Sequence, residues 1–281
     1  MRRAFLLACF ALLAGCASIA DEPAPRDALS WLPALAGENF TIHSRETGRE
    51  YRVFVRLPEG YDAKSAARYP VVYLLDGDIL FPLLASTHLL LHYDEKVPEA
   101  IIVGIAYGAF GEGNFRSTDY TIQLPGSPPE HGGAAAFLRF IEKELLPRVE
   151  ARHAVDSSRR VLLGQSLGGN FVLWSAQQAP DLFWARIASN PGAAVGLQAF
   201  SSTSRRAQRG DLHVILATGS RDTRARREAA SAWARAWAAK SAPWQLTLMP
   251  VEGGTHAATI GEIYRRALLQ LFQKEGDVPS Q

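Results

Sequence analysis

Three residues in this chain have the types and the order that acyl-transfer chemistry uses. Ser166 stands in Gly164-Gln165-Ser166-Leu167-Gly168, Asp222 follows "VILATGSR", and His256 follows "LTLMPVEGGT". A serine hydroxyl is a weak nucleophile until a base takes its proton. An imidazole can do so, and a carboxylate holds that imidazole in the right tautomer. The glycines around Ser166 permit a sharp, strained turn that lifts the hydroxyl above a sheet. A lone G-x-S-x-G recurs by chance and could be a plain Gly/Ser turn, so the context has to decide. Glu252 and Glu228 rival Asp222 as the acid: Glu252 lies close to His256 in sequence but on the wrong strand, and Glu228 sits one turn into the next helix. Asp222 could instead pair with Arg221 or Arg224 at a helix start. His256 could be a helix N-terminal polar residue with Thr255 as cap. The reaction also needs donors for an oxyanion. The amide of Leu167 is one candidate, and the amide of Gly77 or Asp78, after "VVYLLDG", is the other. Asp76 in that loop reads as a brace for the turn.

These residues need a scaffold that brings distant segments together. "FTIHSRETGREYRVFVRLP" alternates as a hairpin does around Glu-Thr-Gly. "YPVVYLLDGD", "EAIIVGIAY", "RVLLGQ", "ARIASNP", "DLHVILATG" and "WQLTLMPVE" read as buried strands. Helical patterns separate most of them, and one of these carries Phe137, Phe140, Ile141 and Leu145 at helical spacing. Such alternation predicts an α/β fold with a mostly parallel central sheet of about eight strands and helices on both faces. Ligands in such sheets bind at the carboxyl ends of strands, where Ser166, Asp222 and His256 all fall.

The chain has 281 residues, 47% hydrophobic and 21% charged, which fits one large globular domain. "MRRAFLLACFALLAGCAS" has Arg2 and Arg3, an apolar run from Ala4 to Ala14, then small residues. That is a secretory leader layout, and the run is short for a bilayer span. Leu13-Ala14-Gly15-Cys16 resembles the bacterial lipoprotein processing box, which implies cleavage before Cys16 and lipidation of its thiol. The alternative is an ordinary leader cut nearby. The expected organisation is a leader over 1–15, a Pro- and Ala-rich tether over 16–37 and a domain over 38–275. A periplasmic, membrane-anchored location follows, with Ala17 favouring the outer membrane. The whole chain has 30 Lys+Arg against 28 Asp+Glu, and losing Arg2 and Arg3 leaves it formally neutral. Cys9 leaves with the leader, so no disulfide and no cysteine metal site can form within the mature chain.

"REYRVFVRLPEGYD", "RYPVVYLLDGD", "FRSTDYT", "GGAAAFLRFIEKELLPRVE", "GQSLGGNFVLW" and "GGTHAATIGEIYRRAL" together resemble the putative-esterase family of α/β-hydrolases. The likeness runs from about residue 38 to 272, and it is strongest to the bacterial ferric-siderophore esterases, which open enterobactin-type trilactones. The resemblance implies an α/β-hydrolase fold, Ser166 as nucleophile and His256 as base. It leaves Asp222 open, because that branch sometimes works with a Ser-His dyad. It implies no cofactor, with iron present only as part of the substrate. "FRSTDYT" departs from the branch's Arg-x-Arg-Asp-Tyr-Thr-Pro pattern. It keeps Arg116, which either faces substrate or pairs locally with Asp119.

Charge gives a second pointer to the substrate. Arg205, Arg206, Arg209, Arg221, Arg224, Arg226 and Arg227 crowd one stretch, opposed only by Asp211 and Asp222 over that basic run. Such a cluster would concentrate an anion such as a ferric tris-catecholate, with Arg205, Arg221 and Arg116 as candidate contacts. The bland alternative is a solvated arginine-rich face. The expectation is a monomeric serine esterase for a catecholate siderophore trilactone. A carboxylesterase or feruloyl-type esterase for neutral esters is the runner-up, and a non-catalytic ligand-binding lipoprotein is a third reading. Nucleic acid is excluded as a partner: there is no net-basic domain, no recognised motif and no interleaving of aromatic with basic residues. His88 and His92 have the i,i+4 spacing of a metal face, but lack a clear third ligand beyond Asp94, and read as a surface or groove pair. Trp233 and Trp237 read as packing a helix onto the sheet. Tyr107, Phe110 and Phe115 could line the substrate pocket or fold their loop down.

Overall fold

The strands of the sheet's middle form where the sequence has unbroken apolar runs, because both their faces are covered. In the computed structural model, which describes residues 32–192, 203–240 and 242–272, all six residues of one such strand, Ile101–Ala106, are buried. The strands are β1 (Gly37–His43), β2 (Glu50–Arg56), β3 (Tyr69–Leu74), β4 (Ile101–Ala106), β5 (Val155–Gln165), β6 (Ala185–Ser189), β7 (His213–Gly219) and β8 (Gln245–Val251). They form one eight-stranded sheet in the order β1-β2-β4-β3-β5-β6-β7-β8. The β1–β2 hairpin and the β2–β4 pair are antiparallel, and every pair from β4 through β8 is parallel. This is the expected α/β architecture.

Helices cover both faces. On one lie α1 (Gly77–Glu95) and the last helix, α7 (Ile260–Phe272). α7 buries Ile260, Ile263, Tyr264, Ala267, Leu268 and Leu271, a stripe at helical spacing, against Leu80, Phe81, Leu84 and the sheet. Each large side chain in it contributes roughly 1.5–3 kcal/mol by leaving water. A charge at Leu268 would break that seam. On the other face lie α3 (Ala134–Phe140), which continues through a π-helical stretch into α4 (Leu146–Arg152), then α5 (Leu167–Gln178) and α6 (Arg224–Ala238). Their Phe137, Phe140, Phe171 and Trp233 fill the second core. Trp233 and Trp237 pack as expected, with ring centroids 5.9 Å apart. A short α2 (Arg116–Asp119) sits in the connection after β4.

Two expectations change. Leu35, in a single helical turn over Pro33–Leu35, is buried in the α1-side core, so a tether reaching residue 37 runs into packed residues. His88 is not at the surface. It is fully buried, bonded to Tyr264 Oη (2.9 Å) and the Pro98 carbonyl (3.1 Å), while His92 Nδ1 bonds the Val97 carbonyl. The rings satisfy backbone and core groups. Cys16 lies outside the described residues.

Candidate active site

β5 ends at Gln165 and α5 starts at Leu167, so Ser166 alone makes the strand-to-helix turn. It adopts φ 57°, ψ −113°, a costly conformation for a residue with a side chain. The turn is held by the Ser166 amide donating to the Ser189 carbonyl (2.9 Å) and by the Ser166 carbonyl accepting from the amides of Asn170 and Gly192. Gly164 is required by close approach: a Cβ there would lie 2.4 Å from the Gly168 carbonyl oxygen.

The acid and base arrive on neighbouring loops. Asp222 follows β7 and His256 follows β8, and the loops are joined by Ser220 N to the Val251 carbonyl and Arg221 N to the Gly254 carbonyl. His256 Nδ1 lies 2.7 Å from Asp222 Oδ2, and Nε2 lies 3.0 Å from Ser166 Oγ. A carboxylate only accepts, so Nδ1 carries the proton and Nε2 turns a lone pair to the serine. The Asp222 side chain is 2% exposed and that of His256 29%. Burial alone would raise the Asp222 carboxyl. The His256 hydrogen bond outweighs it, together with the Thr223 amide (2.7 Å) and Arg226 (3.3 Å), and Asp222 stays below its ordinary range. The rival carboxylates are elsewhere: Glu252 accepts from Ser220 Oγ and Glu228 pairs with Arg224.

The amides of Leu167, Gly77 and Asp78 open their helices, and none donates to an acceptor among the described residues. The Asp78 side chain has a separate task, accepting from the amides of Tyr107 and Gly108 and so pinning the loop after β4. A cleft of about 230 Å³ opens here, lined by Asp76, Asp78, Ile79, Phe110, Arg116 and Gln165 among others. Phe110 is 80% exposed at its rim, and Phe115 stacks under Arg49, whose guanidinium is 5.0 Å from the ring centre. Tyr107 instead turns inward, its hydroxyl on Asp119.

The arginines do not form one patch. β7 lies between the two halves of the run, so they sit at opposite ends of the sheet. Arg205 donates its amide to the Gln177 carbonyl in the last turn of α5, about 16 Å along the helix from Ser166. With Arg206, Arg139 and Lys143 it lines a larger, separate groove of about 490 Å³. The structure does not bring Arg205 to Ser166. On the catalytic side, Arg226 pairs with Asp222 and Arg224 with Glu228, leaving Arg221 exposed. Arg116 does not pair with Asp119. It holds Asp76 by two bonds (2.8 and 3.0 Å), while buried Asp119 takes Arg49, Tyr51 and Tyr107.

Two further residues at or near the site, Gln165 and Arg52, carry no chemical motif in the sequence. Gln165 bridges the site: its amide donates to the His256 carbonyl and its side-chain oxygen accepts from Ser189 Oγ. Its position next to the nucleophile was the available signal. Exposed Arg52, at the β2 position paired with Ala106, lies against Gly108, where an added Cβ would be 3.0 Å from its Nε. Nothing in the sequence marked it.

Comparison with known proteins matches residues 44–259 to the family model described as "Putative esterase". The chain belongs to this family. It is 38% identical over 167 residues, 53% of the chain, to the ferri-bacillibactin esterase BesA of Bacillus subtilis. It is 32% identical over 180 residues, 61% of the chain, to the siderophore triacetylfusarinine C esterase of Aspergillus fumigatus. The matches span 56% and 59% of those two relatives' lengths. In fold it is similar to the crystal structure of the BES protein from Bacillus cereus, with a TM-score of 0.70, 24% identity, and coverage of 83% of this chain and 95% of that one.

Proposed function

We propose that the chain is a serine esterase that hydrolyses the ester bonds of an iron-carrying siderophore, with the serine trilactone of a ferric tris-catecholate as preferred substrate. The observation that carries the reaction type is the Ser166–His256–Asp222 relay at 3.0 and 2.7 Å. Ser166 Oγ bonds to the ester carbonyl carbon while its proton passes to His256 Nε2. The carbonyl electron pair becomes an oxyanion facing the amides of Leu167 and of Gly77 or Asp78. Collapse expels the alcohol, which takes the proton back from Nε2. Water then repeats the sequence on the acyl-serine, releasing the acid and restoring Ser166. Each cycle opens one ester bond.

The substrate rests on other grounds. Both curated relatives carry siderophore-esterase names. The cleft offers an exposed aromatic face at Phe110, and Arg52 beside Gly108 and Arg221 beside Asp222 are exposed cations. Lipidation at Cys16 and a periplasm-facing anchor belong to the same proposal and rest on the leader alone. One observation favours the neutral-ester reading: the cleft wall carries the carboxylates of Asp76 and Asp78, and the charge of Arg116 is already paired. Mass spectrometry of digests of a ferric catecholate trilactone, run beside a neutral aryl ester, separates the two. Linear trimeric, dimeric or monomeric products at a higher kcat/KM than the aryl ester support the siderophore reading. An intact trilactone with a consumed aryl ester overturns it in favour of the neutral esterase.

A further inference from the structure

One ion pair in the cleft wall has no part in the proton relay. Asp76 ends the β3 connection in the left-handed region (φ 52°, ψ 45°), which aspartate tolerates better than most residues. Its carbonyl accepts the amides of Ile79 and Leu80 and so begins α1. Its own amide donates to Tyr120 Oη (3.1 Å), and its carboxylate takes Arg116 Nε and a terminal nitrogen. Backbone and side chain are thus both gripped from α2 and the residue after it. Tyr120 is itself buried, packed on Phe137 and on Phe171 of α5, and the Arg116 guanidinium lies 5.6 Å from its ring centre. On its other side Asp76 meets the nucleophile's helix: Oδ2 is 3.3 Å from where a Cβ on Gly168 would sit. A carboxylate therefore stands between the β3–α1 turn, where the amides of Gly77 and Asp78 are free, and the first turn of α5, where that of Leu167 is.

We propose that Arg116 is a positioning residue for the oxyanion site, acting through Asp76: it fixes the β3–α1 turn and neutralises a carboxylate that would otherwise repel the forming oxyanion. This rests on the esterase reading of Ser166. It differs from a direct Arg116–substrate contact, because Nε and one terminal nitrogen are already committed to Asp76. Burial would lower the Arg116 pKa, but the hydrogen bond and charge of Asp76 outweigh it and hold it above its ordinary value.

The test uses the full chain and a small neutral ester, p-nitrophenyl butyrate, which offers an arginine no charge to bind. Misplacing or opposing one oxyanion donor costs about 100-fold, so Arg116→Ala should lower kcat about 30- to 100-fold, with KM within about twofold. Arg116→Lys, which keeps the charge but not the two-point grip, should fall between. The double variant Asp76→Asn/Arg116→Ala should run about tenfold faster than Arg116→Ala alone, since the unpaired carboxylate is gone. Loss of structural support alone would not be rescued in this way. If Arg116→Ala does not fold, Arg116→Lys and Asp76→Asn carry the same kcat-against-KM comparison. Full kcat on the neutral ester with a raised KM only for a ferric catecholate would overturn the proposal, as would a double variant no faster than the single. Wild type that neither turns over esters nor takes a fluorophosphonate on Ser166 would instead remove the underlying esterase reading.

Discussion

Asp222→Asn is expected to lose activity through the tautomer of His256, and the reason lies in how Asp222 is held. Oδ1 accepts from the Thr223 amide at 2.7 Å and from Arg226 at 3.3 Å, both donors, while Oδ2 faces His256 Nδ1 at 2.7 Å. An asparagine would keep its oxygen on the two donors and turn its NH2 toward His256. Nδ1 must then accept, the ring proton moves to Nε2, and the lone pair that receives the Ser166 proton is lost. A wrong tautomer of this kind costs about 10⁴ in kcat, or roughly 5.4 kcal/mol. Alanine leaves the tautomer free but loses orientation and charge, a loss of about 10⁴ of its own. The assay is steady-state kcat on p-nitrophenyl butyrate for the two variants, with near-equal thermal midpoints to exclude misfolding. An Asp222→Asn variant within about tenfold of wild type would refute the argument and leave a Ser-His dyad.

Three further outcomes follow from other parts of the molecule. Burial and nearby Arg56 push His88 down to about 4 from 6.5, so the unfolded chain takes up its proton first as pH falls. The stability this neutral ring contributes is complete above about pH 6.5 and is lost progressively toward pH 4, by about 3 kcal/mol in all. Urea unfolding of His88→Gln across that window should show a flatter slope than wild type, and an unchanged slope would sink the assignment. Arg205→Ala should leave KM for a ferric catecholate within about twofold, because that side chain lies at the far end of the sheet, whereas a several-fold rise would put the groove back in the site. Gly164→Ala should lower the thermal midpoint and activity together, since its Cβ would meet the Gly168 carbonyl oxygen at 2.4 Å; an unperturbed midpoint would show that the elbow has more room.

What was legible in the sequence was local or strongly periodic. The elbow announced itself because glycines, nucleophile and the strand-to-helix change fall within a few residues. The parallel strands did so because burial on both faces leaves unbroken apolar runs. Asp222 and His256 could be nominated from strand ends, but which carboxylate meets the imidazole depends on the β7 and β8 loops lying side by side. The arginine run misled for a geometric reason. β7 is seven residues long, or about 23 Å at the usual rise, so residues close in sequence on either side of it lie at opposite ends of the sheet. Asp76–Arg116 was hidden for the converse reason: 40 residues separate the partners, and Asp119 offered a nearer one. Leu35 shows the limit of composition, since a Pro- and Ala-rich stretch reads as tether until one leucine finds the core.

The central claim is that Ser166 carries the acyl group. The most direct measurement is peptide-level mass spectrometry of the full chain acid-quenched during turnover of an activated ester. The account predicts an acyl adduct on the peptide containing Ser166 that is absent from Ser166→Ala and accumulates in His256→Ala only slowly. Turnover by Ser166→Ala at the wild-type rate, or an adduct on any other residue, would contradict it.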